Sequence, residues 1–140
     1  MLNSVDADDY MTANPVIFSP ETDIYEAIQV LVERRVTGGT VLNAQGEVVG
    51  IVSELDCLKA VIQTGYYGEG GGTVADFMFA GNIQFMDDHA NIVDAAQKLL
   101  ASGRRRMPVR KDGKFLGQVS ARSLLMAFVA AVNRTGDPGS

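Results

Sequence analysis

A chain of 140 residues with 46% hydrophobic and 21% charged side chains has room for one compact domain or two small repeats sharing a core, which excludes wholesale disorder and a pair of independent enzymes. Its net charge of −5 argues against general nucleic-acid binding, which needs a basic surface to displace counterions. The single cysteine, Cys57, excludes an internal disulfide and a multi-thiolate metal site, agrees with a reducing compartment, and reads as a small core residue.

The longest apolar runs, such as 124–132, reach about half of the roughly 20 residues a membrane-spanning helix needs, and no basic start precedes an apolar stretch at Met1. A soluble, unexported, cytoplasmic protein without membrane insertion is expected. The charge is uneven, with 10 acids and 3 bases up to residue 68, and 7 acids and 9 bases from residue 69 onward.

Taken in chain order, one pattern is written twice. Tyr10-Met11 recurs as Phe77-Met78, Val16 and Phe18 as Ile83 and Phe85, and Gly46 and Gly50 as Gly113 and Gly117, all at an offset of 67. Ile24, Ala27, Ile28, Leu31 and Val32 return 68 residues later as Ile92, Ala95, Ala96, Leu99 and Leu100, each set spaced as the buried stripe of an amphipathic helix. Asp23 with Glu26, and Asn91 with Asp94, supply the caps that fix the two helix starts. Residues 40–42 and 48–52 then flank Asn43-Ala44-Gln45-Gly46, and 108–110 and 115–119 flank Lys111-Asp112-Gly113, so each reads as a β-hairpin around a glycine-containing turn. A second helix follows each hairpin, marked by Leu58, Val61 and Ile62 in the first copy and by Leu125, Phe128 and Val129 in the second.

Each copy is therefore expected to run strand, helix, strand, strand, helix, giving a mixed α/β (α+β) fold of two pseudo-symmetric repeats packed through their sheets. The expected boundaries are 8–64 for repeat one, 65–73 for a glycine-rich linker with five glycines, 74–133 for repeat two, and 134–140 for a flexible tail. A repeat of about 60 residues is marginal alone, so two copies are expected to bury each other's faces and to form ligand clefts at their junction.

The segment Gly50-Ile51-Val52-Ser53-Glu54-Leu55-Asp56 carries the most chemistry. There a buried strand ends and a helix starts, so backbone N–H groups and the positive helix end favour an anion, Ser53 adds a hydroxyl, and Asp56 can accept hydrogen bonds from two vicinal hydroxyls. The same Ser-x-x-Asp spacing is also a capping box that needs no ligand. Both readings stand on spacing alone. His89 in Asp87-Asp88-His89 has no second His or Cys at ligand spacing and reads as helix-entry chemistry, so no metal site is expected.

The double repeat, the Met11-Thr12 opening, the hairpin over 43–50 and the Gly50–Asp56 segment together resemble the CBS domain family, as a tandem pair or stand-alone Bateman-type module covering roughly residues 8–133. That resemblance implies that Asp56 holds the ribose of AMP, ADP, ATP or S-adenosylmethionine, and that Ser53 lies near phosphate. It implies that Val16 and Ile17 line the adenine, beside Thr37, Gly38 and Gly39. The second copy reads Gly117-Gln118-Val119-Ser120-Ala121-Arg122-Ser123, so the acid is replaced by Ser123; Ser120 and Arg122 remain for a phosphate or smaller anion. The family's Arg, apolar, Pro, Val strand occurs only as Arg106-Met107-Pro108-Val109, which makes Arg106 the candidate phosphate contact; the alternative is an exposed strand whose arginines solvate the surface or pair with acids such as Glu33. In the first copy that strand is Val36-Thr37-Gly38-Gly39-Thr40, where two glycines permit close approach of a flat base or mark a bulge.

The expected function is thus a non-catalytic regulatory module that binds an adenine nucleotide or adenosyl ligand, requires no cofactor, and signals through conformation or dimer geometry to an effector protein the sequence does not name. A homodimer formed through the apolar second helices is expected. The alternative is a purely structural dimerisation module without a physiological ligand. An enzyme is not expected, because no nucleophile sits beside an evident base.

Overall fold

The computed structural model describes residues 5–12, 14–64 and 71–135. In chain order the elements are α1 (Ala7–Tyr10), β1 (Ile17–Phe18), α2 (Ile24–Arg34), β2 (Gly38–Leu42), β3 (Val48–Ser53), α3 (Glu54–Thr64), α4 (Val74–Phe77), β4 (Met86–Asp87), α5 (Ile92–Ser102), β5 (Arg106–Lys111), β6 (Lys114–Ser120) and α6 (Ala121–Thr135). Strand, helix, hairpin and helix occur twice, as the repeat predicts, in a mixed α/β fold. The one-turn helices α1 and α4 are additions to that reading. Each starts in a capping box, Asp6 with Asp9 and Thr73 with Asp76, in which side chain and backbone satisfy each other's orphan groups.

The long helices begin where the sequence places them. The Asp23 carboxylate accepts from the N–H groups of Tyr25 and Glu26 at 3.0 and 3.2 Å, and the Asn91 side chain accepts from Asp94 N–H at 2.9 Å. Two three-stranded sheets follow, ordered β1-β2-β3 and β4-β5-β6. In each the first pair is parallel and the second is an antiparallel hairpin. The second hairpin turns at Asp112-Gly113, both with positive φ, the backbone combination of a tight type I′ turn.

Several boundaries move. The second strand of each repeat starts earlier than its β-branched run, at Gly38 and Arg106, because the hairpin ladder continues to Ser53 and Ser120. Helix α6 runs to Thr135, past the predicted start of the tail at 134; residues 136–140 lie outside the described residues. So do 65–70 of the predicted linker, whereas Gly72 and Thr73 are tied down: the Gly72 carbonyl accepts from Ile24 N–H at 2.9 Å and Thr73 bridges to Asp23.

The chain divides into two compact units that are not the two sequence repeats. One unit is Pro15–Ile83; the other joins residues up to Asn14 with those from Gln84 onward. The segment before each repeat therefore completes the unit built from the other one. In the first unit Val74, Phe77 and Met78 enter a core of Val16, Phe18, Ile24, Leu31, Val41 and Val52. In the second, Val5, Ala7 and Tyr10 enter a core with Met86, Leu99, Met107, Val109, Val119 and Leu124. There the Tyr10 hydroxyl donates to the Ala90 carbonyl at 2.6 Å, and Thr12 N–H donates to the Gln118 carbonyl at 2.7 Å.

Candidate functional site

In the unit Pro15–Ile83, strand alternation decides which predicted residues meet. Ile17 pairs with Thr40 and Thr40 with Ile51, while Gly38 pairs with Ser53, so Ile17, Gly38, Thr40 and Ser53 share one face of the sheet. Phe18, Val41 and Val52 point the other way, into the core. Val16 and Gly39 lie on that core face as well. Val16 is 5% exposed, and a Cβ on Gly39 would stand 2.7 Å from the Phe18 ring and 3.1 Å from the Val16 carbonyl oxygen. Gly39 is thus accounted for by close packing within the sheet, and Val16 and Gly39 reach the Ile17 face through backbone atoms only. Ile17 is half-exposed and Thr37 is exposed at the strand's entry.

Ser53 ends β3 and Asp56 sits in the first turn of α3. Asp56 Oδ2 accepts both the Ser53 backbone N–H at 2.8 Å and the Ser53 hydroxyl at 3.0 Å, and Ser53 Oγ accepts Asp56 N–H at 3.2 Å. The capping box is real. It occupies one carboxylate oxygen; Oδ1 accepts no hydrogen bond among the described residues. Since an ionised carboxylate offers about four lone-pair sites, capping and the binding of vicinal hydroxyls are compatible. The Ser53 hydroxyl proton points at Asp56, so a phosphate contact through Oγ–H requires rotation of that hydroxyl, with the Ser53 backbone N–H still holding the carboxylate. The first helical N–H, that of Glu54, is already given to the Thr37 carbonyl at 3.0 Å.

The equivalent corner of the other unit is a control built into the molecule. There Ser120 N–H donates to Ser123 Oγ at 2.9 Å and Ser123 N–H donates to Ser120 Oγ at 2.9 Å. The box closes without a charge. Capping alone therefore does not demand an acid at this position, and the carboxylate of Asp56 exceeds what the helix start requires. Arg106 pairs with Ser120 across the hairpin, as Gly38 pairs with Ser53, so the two share a sheet face. Arg122 is exposed and lies beside Leu125, Met126 and Val129 along α6.

Next to Asp56, the Cys57 thiol is buried. Burial, with the nearby Asp56 and Glu54 charges, pushes its pKa up to about 11, so it stays protonated and acts as a small apolar residue. The donor atoms of Asp87, Asp88 and His89 lie within 4.8 Å of one another. Asp87 Oδ1 already accepts His89 N–H at 2.7 Å, the local bond expected of a turn before a helix.

The comparisons agree with this architecture. The family model of the CBS domain matches residues 7–63 and again 74–130. The chain is 27% identical over 147 residues to the chloroplastic CBS domain-containing protein CBSX1 of Arabidopsis thaliana, covering 86% of this chain and only 61% of that protein. A crystal structure of CBSX2, from the same plant, in complex with AMP superposes with a TM-score of 0.76 at 30% identity, covering 91% of this chain and 98% of the other. The CBS domain pair of MJ0100, crystallised with 5′-methylthioadenosine and S-adenosyl-L-methionine, has a TM-score of 0.74 at 20% identity, covering 91% and 98%, and speaks for the fold alone. Among the described residues no helix is long and apolar enough to cross a membrane. With two matches spanning most of its length, each laid over one strand–helix–hairpin–helix repeat, the chain belongs to the CBS domain family as a tandem pair.

Proposed function

We propose that the chain is a non-catalytic regulatory module that binds one adenosyl ligand, AMP first among AMP, ADP, ATP and S-adenosylmethionine, on the unit Pro15–Ile83. The observation that carries this reading is the Asp56 carboxylate at the head of α3, where the matching Ser120–Ser123 corner shows that a cap needs no acid. CBSX2 is crystallised with AMP, which supports the choice of first ligand. In this reading Asp56 accepts the two ribose hydroxyls, Ile17, Thr37 and Gly38 frame the base with backbone help from Val16 and Gly39, and Ser53 meets phosphate at the positive end of α3. Arg106 and Ser120 form the corresponding anion set of the other unit, with Arg122 in reserve at the start of α6. The module needs no cofactor, works in a reducing, cytoplasmic compartment, pairs with a second copy through its helices, and passes its state to an effector protein by a change of conformation or dimer geometry.

Titration calorimetry with AMP, ADP, ATP and S-adenosylmethionine against wild type and Asp56→Ser tests the reading. Saturable binding near one ligand per chain, weakened at least tenfold by Asp56→Ser, is expected. Binding indifferent to Asp56→Ser would displace the ribose from this corner. Absence of heat and of any shift in melting temperature with all four ligands would leave the capping box as a purely structural device and the protein as a dimerisation module.

A further inference from the structure

We infer that Met78 is a site of reversible oxidative modification: peroxide turns its thioether into a sulfoxide and thereby frees residues 78–79 from the edge of β3. The contact that makes the modification consequential is with Gly50. A Cβ on Gly50 would collide with Met78 Sδ and lie 2.8 Å from its Cγ and 3.2 Å from its Cε, so the end of the methionine covers the glycine where any other residue would carry a side chain. Met78 packs at the same time against the core that holds Val41 and Val52. A thioether suits such a place because it is apolar and adaptable; a sulfoxide is polar and chiral, and burying it there costs free energy.

Reach distinguishes Met78 from other methionines of the chain. Met86 and Met107 are fully buried and Met126 is 60% exposed, so the first two are shielded from a solute and the third would carry its oxygen into water. Met78 is partly buried, open to a small oxidant and committed to a contact. In the step, a sulfur lone pair attacks one oxygen of hydrogen peroxide and the S–O bond forms as the O–O bond breaks. The hydroxide released takes the proton of the transferred oxygen and leaves as water; sulfur is oxidised by two electrons and the peroxide is reduced. Strand β3 is the edge of its sheet, and Phe79 covers it at Ile51, the Phe79 N–H donating to the Ile51 carbonyl at 2.8 Å and the Ile51 N–H to the Phe79 carbonyl at 2.9 Å. Lifting Met78 off Gly50 withdraws Phe79 and opens that edge, two residues before Ser53 ends the strand. Met11 over Gly117, followed by the Thr12 N–H on the Gln118 carbonyl, repeats the arrangement at the edge of β6.

The test treats the full, ligand-free chain with hydrogen peroxide, reads oxidation at each methionine by peptide mass spectrometry, and follows amide hydrogen exchange at Ile51 and Phe79. Met78 is expected to oxidise more slowly than Met126 and faster than Met86 and Met107, and exchange at Ile51 and Phe79 is expected to quicken about tenfold as it does. Methionine sulfoxide reductase is expected to restore the original exchange, a reversal that needs no variant. Met78→Leu, apolar and unreactive, is expected to show exchange that peroxide leaves unchanged. Oxidation of Met78 as slow as that of Met86 and Met107 overturns the inference by showing the sulfur out of reach. Oxidation without faster exchange overturns it by showing that the sulfoxide fits over Gly50. Loosening that persists once the thioether is restored, or that peroxide produces equally in Met78→Leu, overturns it by tracing the effect to another residue.

Discussion

Position 56 separates two jobs that a single carboxylate performs. If the acid serves only the helix, Ser replaces it well, as Ser123 does at the equivalent corner, where it closes the box with two 2.9 Å bonds. Asp56→Ala, which removes the two bonds that the carboxylate accepts and leaves the backbone N–H of residue 56 on Ser53 Oγ, is therefore expected to destabilise the protein by about 1 kcal/mol, a drop of about 3 °C in melting temperature. Asp56→Ser is expected to recover most of that loss. Thermal melts of both variants without ligand check the expectation; equal losses in the two would mean that the charge itself, and not the hydrogen bonds, holds the helix start. Buried protonated groups make a second prediction at this scale. Burial, followed by the charges of Asp6 and the acids near β4 and α5, pushes the Tyr10 hydroxyl up to about 12. A group whose folded pKa lies above its unfolded value near 10 favours the folded state until the unfolded form begins to ionise, so its contribution is lost as pH rises from about 10 to about 12. Denaturant unfolding at about pH 9 and about pH 11 is expected to show wild type losing more stability than Tyr10→Phe. Cys57 also titrates high, and its share remains in both proteins. Equal losses would show that Tyr10 ionises with equal ease in both states.

Each sheet carries one glycine on its core face that receives a methionine from the short segment before the other repeat. A Cβ on Gly50 would collide with Met78 Sδ, and one on Gly117 would lie 2.8 Å from Met11 Sδ. Gly50→Ala is expected to cost about 1–3 kcal/mol by overpacking, and most of that cost is expected to vanish in a Met78→Ala background, where the side chain that collides is gone. The double-mutant cycle reads the coupling; a penalty unchanged by Met78→Ala would trace it to the backbone of β3 instead. All four residues were visible in the sequence as anchors of the 67-residue repeat. What periodicity could not say is that they touch crosswise, because a repeat offset reports equivalence and not contact. The helices and hairpins were legible for local reasons: the 3.6-residue stripes, the Asp23 and Asn91 caps and the Gly-containing turns each act over a few residues. The one-turn helices were not read because four residues make no stripe; only the Asp6–Asp9 and Thr73–Asp76 boxes announced them. At the site, the Ser53–Asp56 spacing gave the right contact, whereas Val16 and Gly39 were legible as strand residues but not as facing the core. That depends on the register of β2 against β1 and β3, which no single strand's sequence contains.

At the scale of the whole chain, sequence repeat and compact unit are different cuts of the same molecule. Repeat one, residues 8–64, lacks Val74, Phe77 and Met78, which fill its core, as well as Thr73, which bridges to Asp23, and Phe79, which exchanges two backbone hydrogen bonds with Ile51 at 2.8 and 2.9 Å. The unit Pro15–Ile83 contains all of them. A fragment of residues 15–83 is therefore expected to unfold cooperatively and at a higher midpoint than a fragment of residues 8–64, although the two share every long helix and strand of that unit. The shorter piece does carry Tyr10 and Met11, the sequence equivalents of Phe77 and Met78, so the comparison asks whether the two lead segments are interchangeable. If 8–64 melts as cooperatively and as high as 15–83, its own lead segment has docked in place of the exchanged one, and the choice of partner core is not written in the segments themselves. If 15–83 alone holds a cooperative fold, the exchange is specified by sequence: Val74 and Phe77 for one core, Ala7 and Tyr10 with its bond to Ala90 for the other. The second outcome is expected. The Tyr10 hydroxyl donates to the Ala90 carbonyl in the unit it joins, and Phe77 brings no hydroxyl, so exchanging the segments would leave that acceptor unmet on one side and require a new partner for a buried donor on the other.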